Sequence, residues 1–268
     1  MINREQILQH IKDEQLKLIL IRVLDKAEGV LKRHEVKTTD FLTPAQAKHA
    51  KQILAGIDDI SFIVAGGYAD AERVLIVIYP DYLEASSLEP AVAALEIVGN
   101  SQFHNITHRD YLGAILGLGL KREKIGDIIL QKQVNEKQLI CQVIVSTEIK
   151  EYILYNLDKI GSMSVGVSEI PMEEIKPLQI NFKEMVGNVA SLRIDAVVAM
   201  VCRISRGDAQ ALINRQHVNV NWEVVDRTSY EISQKDVISI RGKGRYYIDN
   251  IKGLTRSGRI TIQVKIPL

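Results

Sequence analysis

Val92-Ala93-Ala94-Leu95-Glu96-Ile97-Val98 opens the stretch, residues 92–170, whose reading decides the fold. This apolar run, rich in strand-forming residues, reads as a strand. Thr107-His108-Arg109-Asp110 has the spacing of a capping box and opens a helix through about Leu118. Gly126–Gln131 and Leu139–Ser146 then read as strands, Thr147–Lys159 as a helix and Met163–Ile170 as a strand. The order β-α-β-β-α-β is the split ferredoxin-like arrangement, shared by RNA-recognition folds. Those folds bind RNA through aromatic rings stacked on the sheet. The four strands here carry no aromatic residue, so the order predicts the architecture without that binding signature.

Upstream, Ile7, Leu8, Ile11, Leu16, Ile19, Leu20, Val23 and Leu24 recur at spacings of three and four, and residues 4–33 read as helical. Thr43-Pro44 is a helix start, cap then proline, for a second helix to about Leu54. Ile60–Ala65 and Arg73–Tyr79 are strand-like runs joined by the turn Gly66-Gly67-Tyr68-Ala69-Asp70. Linkers are expected between Pro80 and Pro90 and between Pro171 and Pro177. Downstream, helical stretches at about 192–201 and 205–215 precede strands Val218–Val220, Val237–Ile240, Tyr246–Ile248 and Ile260–Ile266. The expected architecture is α+β: a helical and hairpin region over 1–85, a ferredoxin-like domain over 86–175 and a third part over 181–268.

The chain has 268 residues with a net charge of only +1, but the charge is unevenly placed. Residues 1–180 hold 20 Lys and Arg against 25 Asp and Glu; residues 181–268 hold 14 against 8. A net of −5 followed by +6 describes an acidic body and a basic C-terminal third, which points to nucleic acid or another anionic surface. Cys141 and Cys202 sit in apolar stretches without a Cys-x-x-Cys pattern, which excludes a disulfide scaffold and a cysteine zinc site. No apolar run approaches the ~20 residues of a membrane span, and the first residues have no signal-peptide pattern. A soluble, cytoplasmic protein is expected.

The chemistry concentrates in the basic third. Ser205 to Asp208 is a second capping box, so Ser205 begins a helix with Arg206 in its first turn. A cation is disfavoured there by the helix dipole, whereas a phosphate is attracted by the free N–H groups. Arg206 therefore fits a visiting phosphate; a surface ion pair with Asp208 or Asp195 is the plain alternative. Arg215 closes that helix. Arg241-Gly242-Lys243-Gly244-Arg245 follows a strand, its glycines allowing close approach of backbone to a ligand. It is not a P-loop, because the G-x-x-x-x-G-K-S/T spacing is missing. Lys252, Arg256 and Arg259 add a further basic loop.

Leu192-Arg193-Ile194-Asp195, Ile204-Ser205-Arg206, Ala209, Leu212-Ile213 and Val218-Asn219-Val220-Asn221 resemble the S-four, or αL, RNA-binding domain. Ala94-Leu95-Glu96-Ile97, Leu112-Gly113-Ala114 and Arg122-Glu123-Lys124-Ile125-Gly126-Asp127-Ile128 resemble the middle domain of the YlmH family. The Asn221-Trp222 ending and the Arg241–Arg245 run also resemble that family, and Thr39-Asp40-Phe41-Leu42, Ile97-Val98-Gly99-Asn100 and Gly242-Lys243-Gly244 look most like its cyanobacterial and plastid branch, labelled a photosystem II S-four domain protein. The resemblance implies non-catalytic binding of structured RNA, ribosomal RNA or tRNA on the large ribosomal subunit, in ribosome-associated quality control. It implies no cofactor and no metal, and it leaves the oligomeric state open. Arg193, Ser205, Arg206, Arg215 and Asn221 match the motif's RNA-facing positions, and Asp195 matches an Asp read as orienting Arg193. Arg241, Lys243 and Arg245 join these from charge and glycine spacing. Gln216 and Lys235 stand where the motif has glycine; if the position after the second helix needs positive φ, Gln216 costs on the order of 1 kcal/mol.

Other classes find less support. S-four domains also occur in RNA-modifying enzymes and tyrosyl-tRNA synthetases, but the chain has no synthetase signature and no G-x-G-x-x-G after a strand. Gly113, Gly117 and Gly119 are misordered for it, Asp58-Asp59 read as a turn, and His104 and His108 straddle the cap at Thr107. A regulator or assembly factor linked to photosystem II remains the alternative within the resemblance. A protein-docking role for the leucines of residues 4–24 competes with their building the core.

Overall fold

A computed structural model describes residues 2–11, 13–100, 106–131, 138–177, 181–255 and 258–267. The chain forms two compact units, Met1–Leu178 and Gln179–Leu268.

The first unit begins with α1 (Arg4–Leu8) and α2 (Glu14–Arg33). Periodicity alone predicted one helix. The chain breaks because the Asp13 carboxylate accepts the N–H groups of Gln15 and Leu16, capping a new start. β1 (Lys37–Thr38), α3 (Pro44–Leu54), β2 (Ile60–Ala65) and β3 (Leu75–Pro80) follow. Thr43 caps α3, its hydroxyl accepting the Gln46 N–H while the Gln46 side chain accepts the Thr43 N–H. The three strands pair antiparallel in the order β1-β3-β2. Leu8, Ile11, Leu20, Val23 and Leu24 are buried with Ala50, Leu54, Ile76 and Ile78, so most of the N-terminal apolar residues build a core, while Leu18 is exposed.

Next come β4 (Val92–Asn100), α4 (His108–Gly117), β5 (Ile125–Leu130), β6 (Gln138–Ser146), α5 (Lys150–Asn156), β7 (Lys159–Ile160) and β8 (Met163–Ile170). Asp110 accepts both the N–H and the hydroxyl of Thr107 at the start of α4. The sheet order β5-β6-β4-β8-β7 places the first and third long strands centrally, with every pair antiparallel. This is the expected split arrangement. The second helix is shorter than expected: Thr147–Ile149 is a 3₁₀ turn, and Lys159 belongs to β7.

Both faces of this sheet are buried. Leu95, Ile97, Cys141, Val143 and Val145 face α4 and α5. Their alternates Val92, Ala94 and Ile144 pack with Phe41, Leu75, Val77 and Ile175. Two-sided burial explains the continuous apolar runs and the missing aromatics: the face that RNA-recognition folds expose carries the hairpin here. Gly126 permits this contact, since a Cβ there would lie 2.8 Å from the Phe41 ring.

The second unit comprises β9 (Phe182–Val189), α6 (Ile194–Cys202), α7 (Arg206–Asn214), β10 (Val218–Val220), β11 (Glu223–Val224), β12 (Val237–Ile240), β13 (Gly244–Leu254) and β14 (Ile260–Pro267). The sheet runs β11-β10-β12-β13-β14-β9. β9 had no clear sequence signal. It is a largely exposed edge strand, paired along its whole length with β14. One sheet face packs Ile238, Ile240, Tyr246, Ile248, Ile262 and Val264 against Val197, Val201, Ala209 and Ile213 of the helices. Among the described residues, no helix is long and apolar enough to cross a membrane.

Candidate nucleic-acid interface

Asp195 is the centre of the site. It sits in the first turn of α6 with no exposed surface, yet three side chains reach it. Arg206 donates Nε to Oδ2 at 3.0 Å and Nη2 to Oδ1 at 3.2 Å, a bidentate fork. Gln210, one turn further along α7, donates to Oδ2 at 3.0 Å. Arg193, at the cap of α6, reaches Oδ1 at 3.4 Å. Burial by itself pushes the Asp195 carboxyl up. The hydrogen bonds from Arg206, Gln210 and Arg193, with the Arg206 charge, outweigh it and hold the group down at about 2. The cation Asp195 holds hardest is Arg206, the ion pair named above as the plain alternative, whereas the motif pointed to Arg193. The guanidiniums remain partly open, with side-chain exposures of 51% for Arg206 and 38% for Arg193.

Local structure presents these groups. The Ser205 hydroxyl accepts the Asp208 N–H at 3.1 Å and donates to the Asp208 carboxylate at 2.7 Å, which starts α7 at the expected residue. Between the helices Arg203 takes the left-handed conformation, φ 53°. The Ile204 N–H bonds Ala199 O and the Arg203 N–H bonds Met200 O, a Schellman closure. Arg203 is exposed at this corner, and it was missed from sequence. A cation between two helix patterns, where glycine is the default, was the available signal.

The β12–β13 turn approaches the helices from the sheet. The Arg241 N–H bonds the carbonyl of His217, two residues beyond Arg215. The Tyr246 hydroxyl lies 3.8 Å from Cys202 Sγ and donates to Lys243 O at 3.3 Å, tying the turn to the end of α6. Gly242 and Gly244 adopt φ of 75° and 102°, so glycine is required by the turn itself. Exposed Arg203, Arg215, Arg241 and Lys243 thereby come into one neighbourhood, and none has an ion-pair partner among the described residues. Arg245 differs: it pairs across the ladder with Ser239 and lies over the Trp222 ring, 5.5 Å from its centroid.

Two expectations shift. Asn221, expected to face RNA, uses both ends of its amide on structure, donating to Asp236 at 2.8 Å and accepting the Val237 N–H at 2.9 Å, so it clamps a turn. Lys252, expected in a loop, lies within β13, seven residues along it from Arg245 and about 20 Å away. Arg256 and His104 lie outside the described residues. Gln216 and Lys235, the two glycine replacements, adopt φ of 57° and 72°. Asp58 and Asp59 form an exposed turn before β2. Among the described residues no cluster of His, Cys, Asp and Glu is arranged to hold a metal ion.

The chain was compared with known proteins. Residues 18–83 match the model "YlmH, N-terminal", residues 88–174 match "Putative RNA-binding domain in YlmH", and residues 192–238 match "S4 domain". The "Ribosome-associated protein quality control protein P2" of Bacillus subtilis is 30% identical over 253 residues, which is 94% of this chain and 95% of that protein. The chain belongs to the YlmH family. The "Small ribosomal subunit protein uS4" of Desulfotalea psychrophila is 37% identical over 57 residues, 20% of this chain and 27% of that protein. Among solved structures, "Cell division protein ylmH from Streptococcus pneumoniae" is 27% identical, covering 61% of this chain and 96% of its own, with a TM-score of 0.49. The stretch of this YlmH-family chain that matches the S4 domain contains Arg193, Asp195, Arg203, Ser205, Arg206, Gln210 and Arg215. The Arg241–Arg245 turn falls after it.

Proposed function

We propose that this YlmH-family protein binds structured RNA without catalysing a reaction on it, and that its target is ribosomal RNA or tRNA on the large ribosomal subunit. The observation that carries the reading is the buried Asp195 carboxylate holding Arg206 and Arg193 half-open at the start of α7. A buried anion fixes the rotamers of two cations before any ligand arrives, so little side-chain entropy is lost on docking. Arg203, Arg215, Arg241 and Lys243 extend that positive surface and give phosphate contacts, which set affinity more than sequence preference. Arg245, stacked on Trp222, flanks it. The quality-control name of the Bacillus subtilis relative supports a ribosomal target.

The test is co-sedimentation with large ribosomal subunits and binding of ribosomal RNA fragments and tRNA by the full chain. Arg206→Ala and Arg193→Ala should each weaken binding by about 1–3 kcal/mol. Binding by the wild type should fall steeply between low and physiological salt. Unchanged affinity in both folded variants would move the site elsewhere.

A further inference from the structure

The first unit contains a cavity of about 200 Å³ between α2, the Thr39–Thr43 segment and the turn at Arg122–Glu123. Two arginines converge in its wall. Arg73 donates Nε to Ile125 O and Nη2 to Phe41 O, each at 3.0 Å. Arg122 donates Nη1 to the same Ile125 oxygen and approaches Gly126 O at 3.4 Å. Both side chains are half-buried, and the groups they bond are backbone carbonyls, which carry no net charge. Burial pulls the Arg73 guanidinium down to about 10, with the nearby Arg122 charge adding to the pull. Arg122 is lowered as well, by burial.

Acids act on this charge: Asp127 and Glu72 attract both arginines, and Glu123 also attracts Arg73. Asp127 accepts from the Tyr68 hydroxyl and from the N–H groups of Glu72 and Arg73. Asp40 pairs with Lys124 at 2.7 Å, and Glu123 with Arg22 at 3.7 Å. Glu72 acts on both arginines from the loop before β3. Arg22 and Lys26, four apart on α2, add two more cations to the cavity wall. Four cations, with the acids Asp40 and Glu123, thus line one cavity inside a unit whose net charge is negative.

We propose that this cavity is a binding site for a phosphomonoester, with the guanidinium N–H groups of Arg73 and Arg122 that do not bond the Phe41, Ile125 and Gly126 carbonyls on the phosphoryl oxygens, and Arg22 and Lys26 at the rim. Planar guanidiniums match phosphoryl geometry, and a dianion answers two converging like charges better than a carboxylate does. The volume corresponds to roughly six waters, room for a phosphoryl group with a sugar-sized substituent. The site lies in the first unit and stands independently of the RNA contacts assigned to the second.

The experiment is calorimetric titration of the full chain with AMP and with inorganic phosphate, against chloride at equal ionic strength. A 5′-phosphorylated RNA oligonucleotide and its 5′-hydroxyl twin form a second arm, run on an Arg206→Ala background. Saturable binding of AMP assigns the site to a free phosphomonoester. Binding of only the 5′-phosphorylated RNA assigns it to an RNA terminus. Arg122→Gln should weaken either by at least tenfold and the Arg22→Ala/Lys26→Ala pair by severalfold, with ribosome co-sedimentation unchanged. The rim pair lies on the surface of α2 and carries the test if Arg122→Gln fails to fold. No binding above chloride, or equal affinity in wild type and the folded variants, overturns the proposal.

Discussion

The five-stranded sheet of the first unit and the six-stranded sheet of the second are both antiparallel and both backed by two helices, yet they use their faces differently. The first is buried on both sides, by α4 and α5 on one and by the β2–β3 hairpin on the other. Within its unit, the second is buried on one side only. Its other face carries Thr261 bonded to Asn188, Gln263 to Glu184 and Lys265 to Asp249. A sheet apolar on both faces has none left for a ligand, so any contact made by that unit comes from its edges, helices and cavities. A one-sided sheet leaves polar and cationic groups in place, and it gathers them where turns meet helices. The fold most suggestive of RNA binding by topology is therefore the less open of the two.

The sharpest test of the two-sided burial is Ile144→Ala. Ile144 has no exposed surface and joins the sheet to Leu75 and Val77, so the change should cost about 3–4 kcal/mol in urea denaturation. A cost below about 1 kcal/mol would show the hairpin side to be loosely packed.

Asp195 comes next. Its carboxyl, held at about 2, lies below the ordinary unfolded value near 3.9, so its stabilisation is present above pH 4 and is lost as the pH falls toward 2. Asp195→Asn should cost about 2 kcal/mol at neutral pH and flatten the acid limb of the stability profile in that window. An unchanged acid limb would remove Asp195 from its place at the centre of the site.

Gln216→Gly and Lys235→Gly should each act in the opposite direction, stabilising by about 0.5–1 kcal/mol, since both positions hold positive φ. Destabilisation would mean that these side chains contribute packing that offsets their backbone strain. The smallest effect is expected on the open face: Thr261→Val should change stability by less than about 0.5 kcal/mol, because its partner Asn188 stays in reach of water.

Much of this was legible beforehand because local signals carried it. Thr43, Thr107 and Ser205 each began a helix where the capping spacing placed it, since a cap is satisfied within four residues. The split strand order followed from the succession of strand-like runs and a helix cap along residues 92–170. Where local signals conflicted or fell silent, the reading went astray. Apolar periodicity ran through Asp13, whose carboxylate ends it, and β9, whose exposed side mixes Phe182 and Val186 with polar residues, is identified only beside β14. In the site, Arg193, Ser205 and Arg206 stood out by spacing, whereas Arg203 and Gln210 did not, because their roles depend on a helix corner and on a carboxylate fifteen residues away.

The sequence by itself determined which elements form and where the cations lie along the chain, because periodicity, capping and charge are properties of neighbours. Only the tertiary structure decided that the middle sheet is closed on both faces, that Asp195 grips Arg206 more tightly than Arg193, that Asn221 is a clamp and that Arg73 and Arg122 meet on one carbonyl. Each of these depends on groups far apart in sequence competing for the same buried space or the same oxygen, and that competition is settled only when the chain folds.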